Sequence, residues 1–180
     1  GAFHEAGLAD TCDGLGGGFT RERSLEIMKD SRLGTYGTLG LVLALALKMA
    51  LLASLPLLWA LVALLLAHGF SRFFSIILLS FMPYGGDIEQ AKAKPLAQQL
   101  SGQQAAFALL TLLPTLWLGG WLLQWPVYFW LLPFALMLLT CYYMARLLHK
   151  KLGGFTGDGL GAAQQLTELA FYTGAAALWL

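Results

Sequence analysis

Charge is scarce in this 180-residue chain: Lys, Arg, Asp and Glu together supply 12% of it, against about 25% in a typical soluble domain. Hydrophobic residues supply 58%, and the mean hydropathy is +0.67. That balance excludes an ordinary water-soluble domain and points to an integral membrane protein. Cysteine is nearly absent. Cys12 and Cys141 form no CxxC spacing and no disulfide framework, so both read as packing residues. An excess of either sign of charge is also missing. The net charge of +1 says nothing about partners, and nucleic acid is not expected among them.

What the chain has is long apolar runs. About 20 such residues cross the hydrocarbon core, and five runs qualify: residues 37–55, 57–82, 105–122, 126–147 and 162–180. Pro56 and the Gln124-Trp125-Pro126 corner read as tight turns, and the glycine- and proline-punctuated segments 14–36, 83–104 and 148–161 read as polar loops. The expected fold is all-α, a polytopic transmembrane helix bundle with active-site loops on one side, in a single domain over residues 1–180. Residues 1–13 look like the end of an earlier span, so an N-terminal hydrophobic part of the natural protein is expected to be missing here.

The polar segments and their edges hold Arg21, Arg23, Lys29, Arg32, Lys92, Lys94, Arg146, Lys150 and Lys151, and the two turns hold no Lys or Arg. The positive-inside rule therefore puts all three segments in the cytoplasm. Lys48 and Arg72 fall within spans, where a charge costs about 2.5 to 3.5 kcal/mol on the insertion scale. Lys48 either snorkels or finds a partner. Arg72, one turn after His68, is expected to point into the bundle toward phosphate or carboxylate. Glu168 shares a polar face with Gln164, Gln165 and Thr167. It either hydrogen-bonds between helices or neutralises Lys48 or Arg72.

Chemistry should lie in the run from Phe3 to Gly37. Asp10 and Asp13, three apart, share a helix face at a spacing suited to a divalent cation; one turn earlier the stripe holds Ala6. The Gly14–Gly18 run, with Leu15 inside it, is expected to fold around a bulky anionic ligand. In LGGFTGDGLGA, Thr156 or Asp158 can cap the last helix. The density of glycine there, Gly157 included, argues further for close approach to a phosphate, with Asp158 as ligand or metal contact. Lys92 and Lys94 taken alone read as lipid-headgroup contacts.

The run FHEAGLADTCDGLGGGFTRERSLEIMKDSRLGTYG, the later SRFF and AKAKP, and the closing GGFTGDGLGAAQQLTEL resemble the cobalamin-5′-phosphate synthase (adenosylcobinamide-GDP ribazoletransferase) family. The resemblance implies a Mg²⁺-dependent enzyme of a prokaryotic inner membrane with its site toward the cytoplasm and a possible homo-oligomeric state. Such an enzyme joins adenosylcobinamide-GDP to α-ribazole or its 5′-phosphate and releases GMP. It implies metal ligation by Asp10, Asp13 and Asp158, and catalytic roles for Lys29, Asp30 and Arg32, with Asp30 or Asp13 as base. Gly16, Gly17, Arg72, Lys92, Lys94 and Gly157 are the corresponding ligand contacts. An apolar groove between spans is expected to take the corrin ring.

One departure stands out. The family pattern F-H-x-D-G-L-A-D-T-x-D-G has an aspartate where this chain has Ala6. Either the chain is an engineered, inactivated variant, or Glu5 or Asp158 compensates; the engineered variant is the expectation, because Glu5 lies one helix position off the stripe. Two other classes are weaker. A CDP-alcohol phosphotransferase shares the D-x-x-D-G opening but not its D-G-x-x-A-R continuation, and a transporter does not explain acids gathered at the cytoplasmic edge.

Overall fold

The computed structural model describes residues 2–86, 102–124 and 127–179. Its helices are α1 (Phe3–Gly17), α2 (Arg21–Lys29), α3 (Thr35–Ala53), α4 (Leu57–Phe81), α5 (Gly102–Leu123), α6 (Leu131–Leu152) and α7 (Gly157–Trp179), with a 3-10 turn at Val127–Trp130. The all-α helix bundle is therefore the observed fold. Lys92, Lys94 and the Trp125-Pro126 part of the expected corner lie outside the described residues.

Among the described residues four helices, α3, α4, α5 and α6, are long and apolar enough to cross a membrane. α3 stops at Ala53 because Pro56 disfavours helical backbone before it, and Pro56 then stands at the N-cap of α4. α6 ends at Gly153, whose φ of 77° is the left-handed conformation that closes a helix, and His149, Lys150 and Lys151 meet the negative end of its dipole. α3 and α5 bury little beyond Gly37 and Gly119 and turn Leu, Val and Trp side chains outward, the arrangement of helices that face lipid.

The fifth expected span covers residues 162–180. It forms α7, which does not reach the apolarity of the four spans because Gln164, Gln165, Thr167 and Glu168 lie along it. Those residues are buried, since α1, α3, α4 and α6 pack around α7. Phe171 stacks on Trp130 and meets Phe134 edge-on at 5.5 Å, and Phe134 in turn meets Phe70 at 4.7 Å.

Two of the three expected polar loops are largely helical. α1 runs on through Gly17. α2 occupies Arg21–Lys29, because its Arg, Glu, Leu, Met and Lys are strong helix formers, Thr20 caps it by accepting from Arg23 N at 3.2 Å, and Ser24, Leu25 and Met28 supply a buried face. In the third segment only residues 153–156 connect α6 to α7. There Phe155 N donates to Pro83 O at 2.9 Å, and Gly85 N donates to Phe155 O at 2.8 Å.

Arg21 ties this end of the bundle together, donating from Nε to Leu152 O at 2.9 Å and from Nη2 to Gly85 O at 2.7 Å. Hydrogen bonds from charged donors each contribute about 1.5 to 3 kcal/mol, with the lower figure fitting a half-exposed side chain. Arg21→Ala is expected to lower the thermal midpoint in detergent by several degrees and to open residues 83–86 and 153–156 to protease. An unchanged midpoint and cleavage pattern would remove Arg21 from the scaffold.

The charges inside the bundle find one another. Lys48 forms an ion pair with Glu168, which is 1% exposed. Tyr172 Oη donates to Glu168 Oε1 at 2.9 Å, and Gln164 Nε2 donates to Oε2 at 2.8 Å. Glu168 therefore neutralises Lys48. Arg72 donates from Nη1 to His68 O at 2.8 Å, and among the described residues no carboxylate forms an ion pair with it.

Candidate active site

α1 and α7 run antiparallel and cross where each offers glycine. A Cβ on Gly7 would lie 2.9 Å from Asp158 O and 3.0 Å from Asp158 Cα, and one on Gly161 would lie 3.2 Å from His4 O. Only glycine permits this approach. Asp10 follows Gly7 by three residues, and Asp158 precedes Gly161 by three, so the crossing sets the two acids against each other. The start of α3, the ends of α4 and α6 and the start of α7 gather at the same end of the bundle.

The electrostatics record that approach. The half-buried Asp10 carboxyl is pushed up to about 6, first by burial and then by repulsion from Asp158 and Asp13. Burial also raises Asp158. Thr156 takes the capping role, its Oγ1 accepting from Gly159 N at 3.0 Å, and the Asp158 carboxylate sits at the positive end of α7, where it accepts from its own backbone N–H.

Asp13 is buried one turn beyond Asp10 and has an anchoring part. Its Oδ2 accepts from Gly34 N at 2.7 Å and its Oδ1 from Gly37 N at 2.8 Å. A Cβ on either glycine would come within 2.4 Å of a carboxylate oxygen. The start of α3 is thereby seated on α1, a role that the i, i+3 spacing did not reveal. The stripe runs from exposed Ala6 through half-buried Asp10 to buried Asp13. Glu5 leaves it: its Oε1 accepts from Gln165 Nε2 at 3.2 Å, and Gln165 continues to Gln164, Ser71 and Glu168.

The glycine run departs from the expected ligand-wrapping loop. Gly14, Gly16 and Gly17 are helical, and a Cβ on Gly14 or Gly16 would strike Met28 Cγ at 2.3 Å or the Tyr36 ring at 2.7 Å. They let α2 and α3 close on the end of α1, and Gly16 and Gly17 are otherwise exposed. Lys29 ends α2 on the surface. Arg32 grips Asp30 through Nε at 3.1 Å and Nη2 at 2.6 Å, which holds the Asp30 carboxyl down at about 2.

Arg72 and Gly157 come together on one cavity of about 320 Å³ between α1, α4 and α7, with Phe3, His4, Ile76 and Phe155 among its walls. The donors opposed at the α1–α7 crossing are all hard carboxylate oxygens. Among the described residues no three His, Cys, Asp or Glu side chains form a ready metal cluster. Such a set fits Mg²⁺, which is commonly held by one or two carboxylates and completed by substrate phosphates and water, better than it fits a cation needing an all-protein cage.

Membrane-length helices with an acidic crossing at one polar end define a polytopic membrane protein of the helix-bundle class. The chain belongs to the cobalamin-5-phosphate synthase family, which matches residues 1–176. It is 48% identical over 186 residues to an adenosylcobinamide-GDP ribazoletransferase of Leptothrix cholodnii, covering 97% of this chain and 67% of that protein. A protein of the same name from Vibrio cholerae is 49% identical over 173 residues, covering 96% and 64%, and one from Shewanella woodyi is 44% identical over 175 residues, covering 96% and 66%. The chain spans about two thirds of the length of these relatives. No solved structure matches it significantly.

Proposed function

We propose that the chain carries the phosphoryl-transfer centre of an adenosylcobinamide-GDP ribazoletransferase in the cytoplasmic membrane of a prokaryote. The observation that carries the reading is the opposition of Asp10 and Asp158 across the α1–α7 crossing, in a chain 48% identical to a protein of that name. The ribose hydroxyl of α-ribazole or its 5′-phosphate attacks the phosphorus attached to cobinamide; a new P–O bond forms, the diphosphate P–O bond breaks, and GMP leaves. Mg²⁺ held by Asp10 and Asp158, with Asp13 fixed one turn behind Asp10 by Gly34 and Gly37, would neutralise charge on the diphosphate.

The chain's own cations bind and orient. Arg32, with its planar fork, suits bidentate contact to nonbridging oxygens, and Lys29 adds a point charge beside it. Asp30 binds protons weakly while Arg32 grips it. When Arg32 turns to the diphosphate, Asp30 is released, its affinity for a proton rises, and it accepts the proton of the ribose hydroxyl. The same polar end carries Arg21, Arg23, Lys29, Arg32, Lys150 and Lys151, which supports a cytoplasmic orientation.

The test is GMP release from the Ala6→Asp chain in nanodiscs. GMP is expected only when adenosylcobinamide-GDP, α-ribazole and Mg²⁺ are all present; GMP released without α-ribazole would make the protein a hydrolase. Within that assay Arg32→Ala is expected to raise the donor KM about tenfold, equal to about 1.4 kcal/mol, and Arg32→Lys to restore little of it. Full activity of Arg32→Lys would return Arg32 to the role of a surface charge.

A further inference from the structure

We infer that the cavity between α1, α4 and α7 is the acceptor pocket, taking the benzimidazole-type base of α-ribazole, and that Arg72 on its rim binds the acceptor's 5′-phosphate. The inference rests on the proposed reaction and names the substrate that this part of the site holds.

Size makes the first selection. About 320 Å³ lies at the small end of the range for small-molecule pockets, a size that suits a bicyclic ring with its sugar. Wall chemistry makes the second. Phe3, Ile76, Leu79, Phe155 and Leu160 line it, and Tyr84 packs edge-on against Phe155 with ring centroids 5.4 Å apart. A benzimidazole is flat and apolar, with one bare ring nitrogen once the other carries ribose. Guanine presents several donors and acceptors along one edge, and an apolar wall would leave them unpaired at about 1 to 3 kcal/mol each.

The few polar groups agree with that choice. His4, at the α1 wall, can donate one ring hydrogen bond to the bare nitrogen. Arg72 commits Nη1 to His68 O, and among the described residues no carboxylate neutralises it. An exposed guanidinium on the rim of an apolar cavity matches an aromatic ligand that ends in phosphate. Position completes the argument. Gly157 and Gly161 line the cavity and bracket Asp158 in α7, so a base seated there places its ribose next to the acids of the crossing.

The experiment is calorimetric titration of the chain in nanodiscs, as it stands and with Ala6→Asp, using α-ribazole, α-ribazole 5′-phosphate and adenosylcobinamide-GDP separately. Ile76→Trp and Leu160→Phe fill the cavity from two different helices, so a folding failure in one leaves the other, and size-exclusion profiles report on both. Each is expected to weaken both acceptors about tenfold or more and to leave donor affinity within about twofold. Arg72→Gln is expected to weaken the phosphorylated acceptor about tenfold and α-ribazole by less than about twofold. Fillings that weaken the donor instead, or that leave acceptor binding untouched as a lipid-filled cavity would, overturn the inference. If the acceptor binds as expected but no GMP is released, the proposed reaction fails while the pocket stands. GMP release with acceptor binding unaffected by both fillings gives the reverse.

Discussion

Ala6→Asp is expected to raise GMP release by about a hundredfold, equal to about 2.7 kcal/mol of barrier. Positions 6, 10 and 13 form one stripe of α1, and position 6 is its exposed end. With alanine there, Asp10 and Asp158 meet a highly charged substrate with one hard oxygen donor fewer than the family pattern supplies, so metal and donor binding should both weaken. The substitution should not disturb the fold, because position 6 is exposed on α1. Adding Asp10→Asn to the Ala6→Asp chain should abolish turnover with an unchanged thermal midpoint. Asp13→Asn is a less clean probe, since an amide cannot accept from both Gly34 and Gly37. Equal GMP release with Ala and Asp at position 6 would separate that position from the metal site.

The largest stability effect is expected from Glu168→Ala. Glu168 is 1% exposed and pairs with Lys48 inside the bundle, where Tyr172 and Gln164 also bond its oxygens. Removing it leaves the Lys48 ammonium without its counter-charge, a loss of about 3 to 5 kcal/mol when one partner of a buried pair is deleted. Replacing both members by apolar side chains, Lys48→Met with Glu168→Met, should recover most of that loss, because neither charge then remains to be desolvated. Unfolding by denaturing detergent in mixed micelles reads both variants. A Glu168→Ala protein within about 1 kcal/mol of the parent would mean that Lys48 reaches the membrane surface unaided.

The parts of the fold legible in the sequence were those set by a length or a stop. Residues 37–55 and 57–82 could be assigned within about two residues of α3 and α4 because apolar length and Pro56 are local properties. The chain around α2 reads as a loop by polarity, although Ser24, Leu25 and Met28 give it a buried face. Glycine is ambiguous in the same way: Gly14–Gly17 could serve a ligand-wrapping turn or a close helix contact, and only the position of Met28 and Tyr36 decides. The acid pair Asp10 and Asp13 was legible as a stripe, whereas the opposition of Asp10 to Asp158 depends on Gly7 meeting α7 some 150 residues away in the chain. The pairing of Lys48 with Glu168 is of that kind too. Each charge announces its need of a partner, and the packing of α3 against α7 selects which one.

The proposed metal site at the α1–α7 crossing can be tested without turnover, by titrating Mn²⁺ as a stand-in for Mg²⁺ and following the electron paramagnetic resonance signal of the free ion. The Ala6→Asp chain with adenosylcobinamide-GDP is expected to take up Mn²⁺ in competition with Mg²⁺, and either Asp10→Asn or Asp158→Asn in that chain to weaken uptake about tenfold or more. Undiminished uptake in both Asn variants would contradict the claim that the acids set against each other by Gly7 and Gly161 are the heart of the catalytic centre.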